Sequence, residues 1–336
     1  MTLTLTLPIL PCAALYLACT RHSRITHENL SSVLPAYPYD YAIFHPPTST
    51  LPGQQLVLSS PMGRSSHGIC RSCLFPKPPR SKHCSLCGTC ISRFDHHCIW
   101  LNTCVGANNY RFFLLLLVSL TVVLAYGAWL TYSILDADLQ ARFPGPRPRL
   151  DTFTRSSRSG ISGRSITTPQ RWSHSLSWSR WLSLLGLATQ SHVRIGTVGL
   201  LALLAWPLAA GFLLYHIYLI WAGTTTNESG KWADLREDIT DGFAWRAERE
   251  RIMGPDAECC VLGGVKVGDA WPTRGRWIVI RVFDDRGWRG AGRGEDDSAT
   301  IWDRVESLAD VENVYDLGFW ENLKDAFSLR GQVFYQ

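Results

Sequence analysis

Between Cys70 and Cys104 the chain carries seven of its eleven cysteines, with His83, His96 and His97 among them. The run reads Cys70-x2-Cys73-x9-His83-Cys84-x2-Cys87-x2-Cys90-x4-Asp95-His96-His97-Cys98-x5-Cys104. Cysteine pairs separated by two residues, with histidines between them, are metal spacing rather than a disulfide framework. Structural zinc takes four Cys or His ligands in a closed tetrahedron, so two zincs use eight of the ten donors and leave two over. A spare thiol beside a spare imidazole is what a nucleophilic enzyme needs and what a purely structural module does not. Spacing alone leaves open which two are spare. Asp95-His96-His97-Cys98 is nevertheless the one place where an acid, two imidazoles and a thiol are consecutive. If one of these histidines binds zinc, the other can act as base toward Cys98 while Asp95 fixes its tautomer. Residues two apart do not share a helix face, so His96 and Cys98 are expected on a turn. No internal repeat stands out.

The elements that must position this cluster are membrane spans. Phe112 to Leu135 and Ile195 to Gly223 contain no Asp, Glu, Lys or Arg, and either can cross a hydrocarbon core that needs about 20 apolar residues. Soluble core helices rarely run this long without a polar face. A shorter segment, Leu3 to Cys19, contains Pro8 and Pro11 and lacks the basic start of a signal peptide, so it reads as a further span. Thiolate zinc sites imply a reducing compartment, which puts the cluster in the cytosol. The resulting fold class is a mainly α, polytopic membrane protein with a cytosolic two-zinc domain. Its expected layout is a span within 1–20, a cytosolic linker 21–69, the zinc-binding catalytic domain 70–111, a span 112–135, a luminal, disordered connector 136–194, a span 195–223 and a cytosolic region 224–336. Nine arginines in the connector oppose this orientation by the positive-inside rule, but the connector is near the length limit of that rule and the zinc chemistry weighs more. The net charge of +5 is mild and the Arg-rich stretch from Arg142 to Arg180 is mixed with Ser, Thr, Gly and Pro, so nucleic acid is not an expected partner.

The Cys and His spacing, with Asp-His-His-Cys spelled in full, resembles the cysteine-rich domain of the DHHC protein acyltransferases. That resemblance implies two zincs, one on Cys70, Cys73, His83 and Cys90 and the other on Cys84, Cys87, His97 and Cys104. It implies Cys98 as the acyl-carrying nucleophile, His96 as its base, Asp95 behind it, and palmitoyl-CoA as acyl donor. After the last span, Thr225-Thr226-Asn227-Glu228 fits the family's Thr-Thr-x-Glu motif, in which the second Thr, here Thr226, supports the catalytic Asp and Glu228 completes the motif. Asn313-x-Tyr315-Asp316-x-Gly318 with Asn322 resembles the C-terminal motif that packs on the membrane domain, and Asn109 and Tyr110 also fit. The wording around the cluster and the Tyr-Asp-Leu-Gly-Phe-Trp-Glu-Asn string look most like the fungal spore-wall-formation branch. That branch implies an endoplasmic-reticulum enzyme acting on juxtamembrane cysteines of SNARE-type membrane proteins. Two departures stand out. The family usually has two spans before the cluster, where this sequence offers one, and often has Asn where Thr103 stands.

The remaining features read more plainly. Arg71, Lys77, Arg80, Lys82 and Arg93 read as a solvated or headgroup-facing surface, with contact to CoA phosphates as the sharper alternative. Cys259 and Cys260 read as ordinary tail cysteines. His216, inside the last span, reads as a neutral imidazole bonded to a neighbouring helix. Trp277 to Phe283 predicts a strand, and the aromatic piece from Tyr315 to Phe327 an amphipathic helix. The competing reading from another class is a membrane-anchored zinc scaffold that only binds partners. It leaves Asp95, the Cys98–His96 pair and the Thr-Thr-x-Glu match without a role.

Overall fold

The computed structural model describes residues 7–37, 70–142, 178–248, 276–281 and 303–327. Its helices are α1 (Ile9–Thr20), α2 (Leu30–Val33), α3 (Tyr110–Arg142), α4 (Trp178–Ser191), α5 (Val193–Trp221), α6 (Thr226–Asp241) and α7 (Phe319–Ala326). Its strands are β1 (Lys82–Cys84), β2 (Thr89–Ile91), β3 (His96–Cys98), β4 (Thr103–Val105), β5 (Ala244–Glu248), β6 (Trp277–Arg281) and β7 (Asp303–Arg304). The architecture is mostly helical, as expected. Two compact units divide it: residues 117–212 form one, and residues 4–116 with 213–336 form the other.

The apolar runs form α3 and α5, of 33 and 29 residues, the two described helices long and apolar enough to cross a membrane. Leu200, Leu201, Leu204 and Leu208 of α5 are all more than half exposed. Side chains of this kind, on a helix apolar all round, are stable against lipid and not against water. Pro207 lies inside α5, a helix breaker tolerated in spans because neighbouring groups satisfy the freed carbonyl. The connector departs from its expected lack of structure at both ends. Its first residues continue α3 to Arg142, and α4 forms before α5 begins at Val193. The reason is a local apolar face: Leu184, Leu185 and Ala188 of α4 pack on Leu135 and Leu139 of α3. Residues 143–177 lie outside the described set.

The second unit holds the cysteine-rich segment. Two antiparallel hairpins, β1–β2 and β3–β4, form its body. The linker departs from expectation over residues 21–37. Ser23 and Ile25 alternate with exposed neighbours and are buried, and Arg24 bridges to Ile91 of β2. Ile25 and Val33 pack with Cys70, Phe75 and Cys90, so this stretch is an edge of the domain and not a tether. The tail contributes α6, a three-stranded sheet ordered β6-β5-β7, and α7. Leu235 and Ile239 of α6 pack with Ala244, Val279, Val305 and Tyr315. The expected tail strand and amphipathic helix are both present, as β6 and α7. Cys259 and Cys260 lie outside the described residues. Near the N-terminus, α1 has 12 residues, a length of about 18 Å at 1.5 Å per residue and short of a bilayer crossing.

Candidate active site and metal centres

Each hairpin sets a histidine opposite a cysteine: His83 faces Cys90 across β1–β2, and His97 faces Cys104 across β3–β4. A Cys-x2-Cys turn completes each set. Cys70, Cys73, His83 and Cys90 converge in one group, and Cys84, Cys87, His97 and Cys104 in another, with donor atoms within 4.8 Å of one another in each. Both groups therefore follow the same rule, Cys-x2-Cys-x9-His-x6-Cys, the second offset by 14 residues from the first. This interleaved repeat corrects the reading that none exists. It escapes inspection because the second copy starts inside the first.

The donors fit zinc. From His83 Nδ1 the sulfurs of Cys70, Cys73 and Cys90 lie at 3.4, 3.4 and 3.9 Å. From His97 Nδ1 those of Cys84, Cys87 and Cys104 lie at 3.6, 3.4 and 3.5 Å. A zinc tetrahedron with ordinary bond lengths has an S–N edge of about 3.6 Å. Burial and the thiols of Cys70 and Cys73 push the Cys90 thiol up, a penalty that a central dication removes.

His96 and Cys98 belong to neither group. The structure corrects the expected turn: both residues lie on β3, where side chains two apart share a face. Cys98 pairs with Thr103 across the hairpin. The Cys98 thiol is buried and lies beside the His96 imidazole. Burial opposes its ionisation, but the imidazole and the backbone N–H groups of Leu101 and Trp100 outweigh burial and hold the thiol below its ordinary value. Burial likewise opposes charge on His96, yet Asp95 and Cys98 raise the imidazole to about 9.

Asp95 is 1% exposed. Its Oδ2 accepts from His96 Nδ1 at 2.7 Å and from Thr226 Oγ1 at 2.8 Å, while Oδ1 accepts from the Thr226 N–H at 2.9 Å. Against burial, the His96 and Thr226 hydrogen bonds hold Asp95 below the usual carboxylate range. Thr226 begins α6, so the carboxylate sits at a helix N-terminus, where unpaired N–H groups favour an anion. Thr225 caps that helix and also donates to the Phe94 carbonyl at 3.1 Å.

Glu228 does not touch Asp95. It closes the capping box of α6 and binds Arg80 through Nε and Nη2 at 2.7 and 2.6 Å. Asp325 of α7 accepts from Arg80 Nη1, Arg93 Nε and the Tyr37 hydroxyl at 3.4, 3.0 and 2.9 Å. Arg80 lies between the Tyr37 and Tyr315 rings, 5.1 and 4.5 Å from their centroids. Arg80 and Arg93 are 3% and 4% exposed, which corrects their reading as surface or CoA-phosphate groups. Buried guanidiniums need fixed carboxylates, and Glu228 and Asp325 provide them. Lys82 is exposed and donates to Asn227 at 3.0 Å.

Asn322 stands apart from the reacting groups. Its side chain donates to Asp316 at 2.8 Å and accepts from the Leu317 N–H at 2.9 Å, while Asn313 donates to the Ala222 carbonyl at 2.9 Å. The C-terminal motif thus clamps the chain just after α5. Sequence reasoning gave no part to Asp325 or Tyr37, and Thr225 entered only as a member of the Thr-Thr-x-Glu match. Asn109 was noted only as a family match. It is fully buried, donating to the Ala18 and Cys104 carbonyls and accepting from the Gly106 N–H. His216 is bonded to a neighbouring helix, as read: its Nδ1 lies 3.1 Å from the Tyr110 hydroxyl of α3.

A family model described as DHHC palmitoyltransferase matches residues 64–233. Palmitoyltransferase swf1 of Aspergillus fumigatus is 37% identical over 335 residues, covering 96% of this chain and 77% of that protein. The swf1 palmitoyltransferase of Emericella nidulans is 37% identical over 333 residues, covering 95% and 69%. Over a shorter stretch, a probable protein S-acyltransferase 13 of Arabidopsis thaliana is 64% identical over 55 residues, or 16% of this chain and 18% of that protein.

Proposed function

The chain belongs to the DHHC palmitoyltransferase family, and we propose that it transfers palmitate from palmitoyl-CoA by way of an acyl-Cys98 intermediate. The observation that carries this reading is the Cys98–His96–Asp95 line: His96 is bonded to Asp95 at 2.7 Å, shares a face of β3 with Cys98, and neither His96 nor Cys98 belongs to a four-donor group. His96 takes the proton of the Cys98 thiol, and Asp95 keeps Nδ1 protonated so that Nε2 faces the sulfur. The thiolate attacks the thioester carbonyl of palmitoyl-CoA. The bond to the CoA sulfur breaks, and the CoA thiolate leaves with the proton held on His96. A substrate cysteine then gives its proton to His96 and attacks the Cys98 thioester, and Cys98 leaves. This is double displacement through a covalent acyl-enzyme.

Two zinc ions, on Cys70, Cys73, His83 and Cys90 and on Cys84, Cys87, His97 and Cys104, would supply folding energy and fix the two hairpins. With four protein donors each, they have no open position for substrate. Thr226 holds Asp95, Glu228 holds the start of α6 onto Arg80, and Asn322 fixes the turn behind the span.

We further propose that the acceptors are cysteines beside a membrane span, of SNARE type, and that the enzyme sits in the endoplasmic-reticulum membrane with Cys98 on the cytosolic face. Support comes from the thiolate donors, which need a reducing compartment, and from Phe113 of α3, whose ring packs 5.3 Å from His96. The test is single-turnover kinetics in detergent. CoA release should show a burst of about one equivalent per active chain, followed by turnover only when a single-span protein with a juxtamembrane cysteine is added. Release without a burst, scaling with acceptor from the start, would contradict the covalent route.

A further inference from the structure

His216 lies in α5, is fully buried, and belongs to the same compact unit as the cysteine-rich domain. Burying an imidazole needs hydrogen-bonding partners, and the Tyr110 hydroxyl meets Nδ1. That bond serves one of its two ring nitrogens. On another side lie reacting groups. One ring nitrogen each of His216 and His96 and a carboxylate oxygen of Asp95 all lie within 4.8 Å of one another. The His216 and His96 rings are 6.0 Å apart, tilted by 41°. Phe113 meets both edge-on, at 5.0 Å from His216 and 5.3 Å from His96.

His96 is bonded to Asp95 through Nδ1 at 2.7 Å, and the rings of Phe113 and His216 both lie against it. We propose that His216, its own ring fixed by Tyr110, is a positioning residue that sets the orientation of the Asp95–His96 pair toward Cys98. The assignment rests on the acyl-Cys98 reading and deepens it: the base on β3 is aligned from the membrane span α5. An ionisable side chain within a span is a functional candidate by default, and none of the motifs matched in the sequence contains this one.

The test uses the full chain in detergent, with labelled palmitoyl-CoA and zinc measured on every sample. His216→Phe keeps the ring volume and removes both nitrogens. Tyr110→Phe removes only the hydroxyl. Misalignment of a base lowers the maximal rate and not substrate capture, so each variant should lose roughly ten-fold or more in maximal acylation rate. The half-saturating palmitoyl-CoA concentration should stay within about two-fold. The double variant should fall no further than His216→Phe, because both act along one line. His216→Gln, which restores a polar group, should recover part of the rate. Zinc-loaded His216→Phe and Tyr110→Phe with wild-type maximal rates would overturn the proposal and leave His216 a packing residue. If His216→Phe loses its zinc, the same split in Tyr110→Phe and His216→Gln decides it. Absence of label on zinc-loaded wild type would instead overturn the acyl-Cys98 reading itself.

Discussion

Asp95 accepts three hydrogen bonds at a buried helix start, and this fixes what its neighbours can do. It keeps His96 oriented, and His96 in turn lowers the Cys98 thiol while burial works the other way. A lowered thiol gives thiolate at a lower pH, so the pH midpoint for iodoacetamide alkylation of Cys98 should lie below that of an ordinary cysteine. In His96→Ala the midpoint should move up, and in Thr226→Ala it should move part of the way. An unchanged midpoint in His96→Ala would mean that the backbone donors of Leu101 and Trp100 carry the effect. At this scale much was legible. Ten donors for eight zinc positions left two over, and the Asp-His-His-Cys string was the one place that set an acid, imidazoles and a thiol side by side. The 14-residue repeat would have identified His96 as the spare imidazole without any family pattern. Arg80 and Arg93 were not legible, because their carboxylates lie 148 and 232 residues away in sequence and a single sequence shows charge without its partner.

Elements bring those distant partners together. The start of α6 is held from two sides, by Asp95 on Thr226 and by Arg80 on Glu228. The Arg80 and Glu228 side chains are 1% and 5% exposed, so breaking the pair leaves a buried charge short of a partner. Glu228→Ala should lower stability by about 3–5 kcal/mol, read as a fall in thermal midpoint in detergent. Acylation should fall with it, since Thr226 then loses its fixed position. A midpoint near wild type would show that Asp325 alone satisfies Arg80. The end of α5 is equally constrained. Gly223 has φ +63, and an added Cβ would lie 2.6 Å from the Asp316 Cα, so Gly223→Ala should separate the C-terminal motif from the span and reduce both zinc-loaded yield and activity. The apolar character of α3 and α5 and the length of α5 could be read directly from composition, whereas α3 runs on past Leu135 to Arg142. The β3 placement of His96 and Cys98 could not, since three-residue strands have too little periodicity to register. The edge strand-like run at 21–25 was hidden in the same way, with alternation too short to distinguish from a polar linker.

At the scale of the whole molecule, α3 starts and α5 ends within the unit that holds the cysteine-rich segment. The proposed layout, with both helices crossing, would put residues 143–177 on the opposite side of the bilayer from Cys98. The nine connector arginines argue the other way, and mapping settles the matter. An N-glycosylation acceptor introduced in 143–177 should be modified in cells, whereas one introduced in 249–275 should not. The reverse pattern would put the thiolate groups in an oxidising lumen and defeat the zinc argument. The most direct test of the central claim compares wild type, Cys98→Ala and Cys98→Ser, purified in detergent and exposed to a clickable palmitoyl-CoA, with zinc per chain determined on the same samples. Hydroxylamine-labile label on wild type alone, with about two zincs in all three, is the predicted result. Equal labile label on zinc-loaded Cys98→Ala would contradict the account, because the acyl group would then travel through some other thiol.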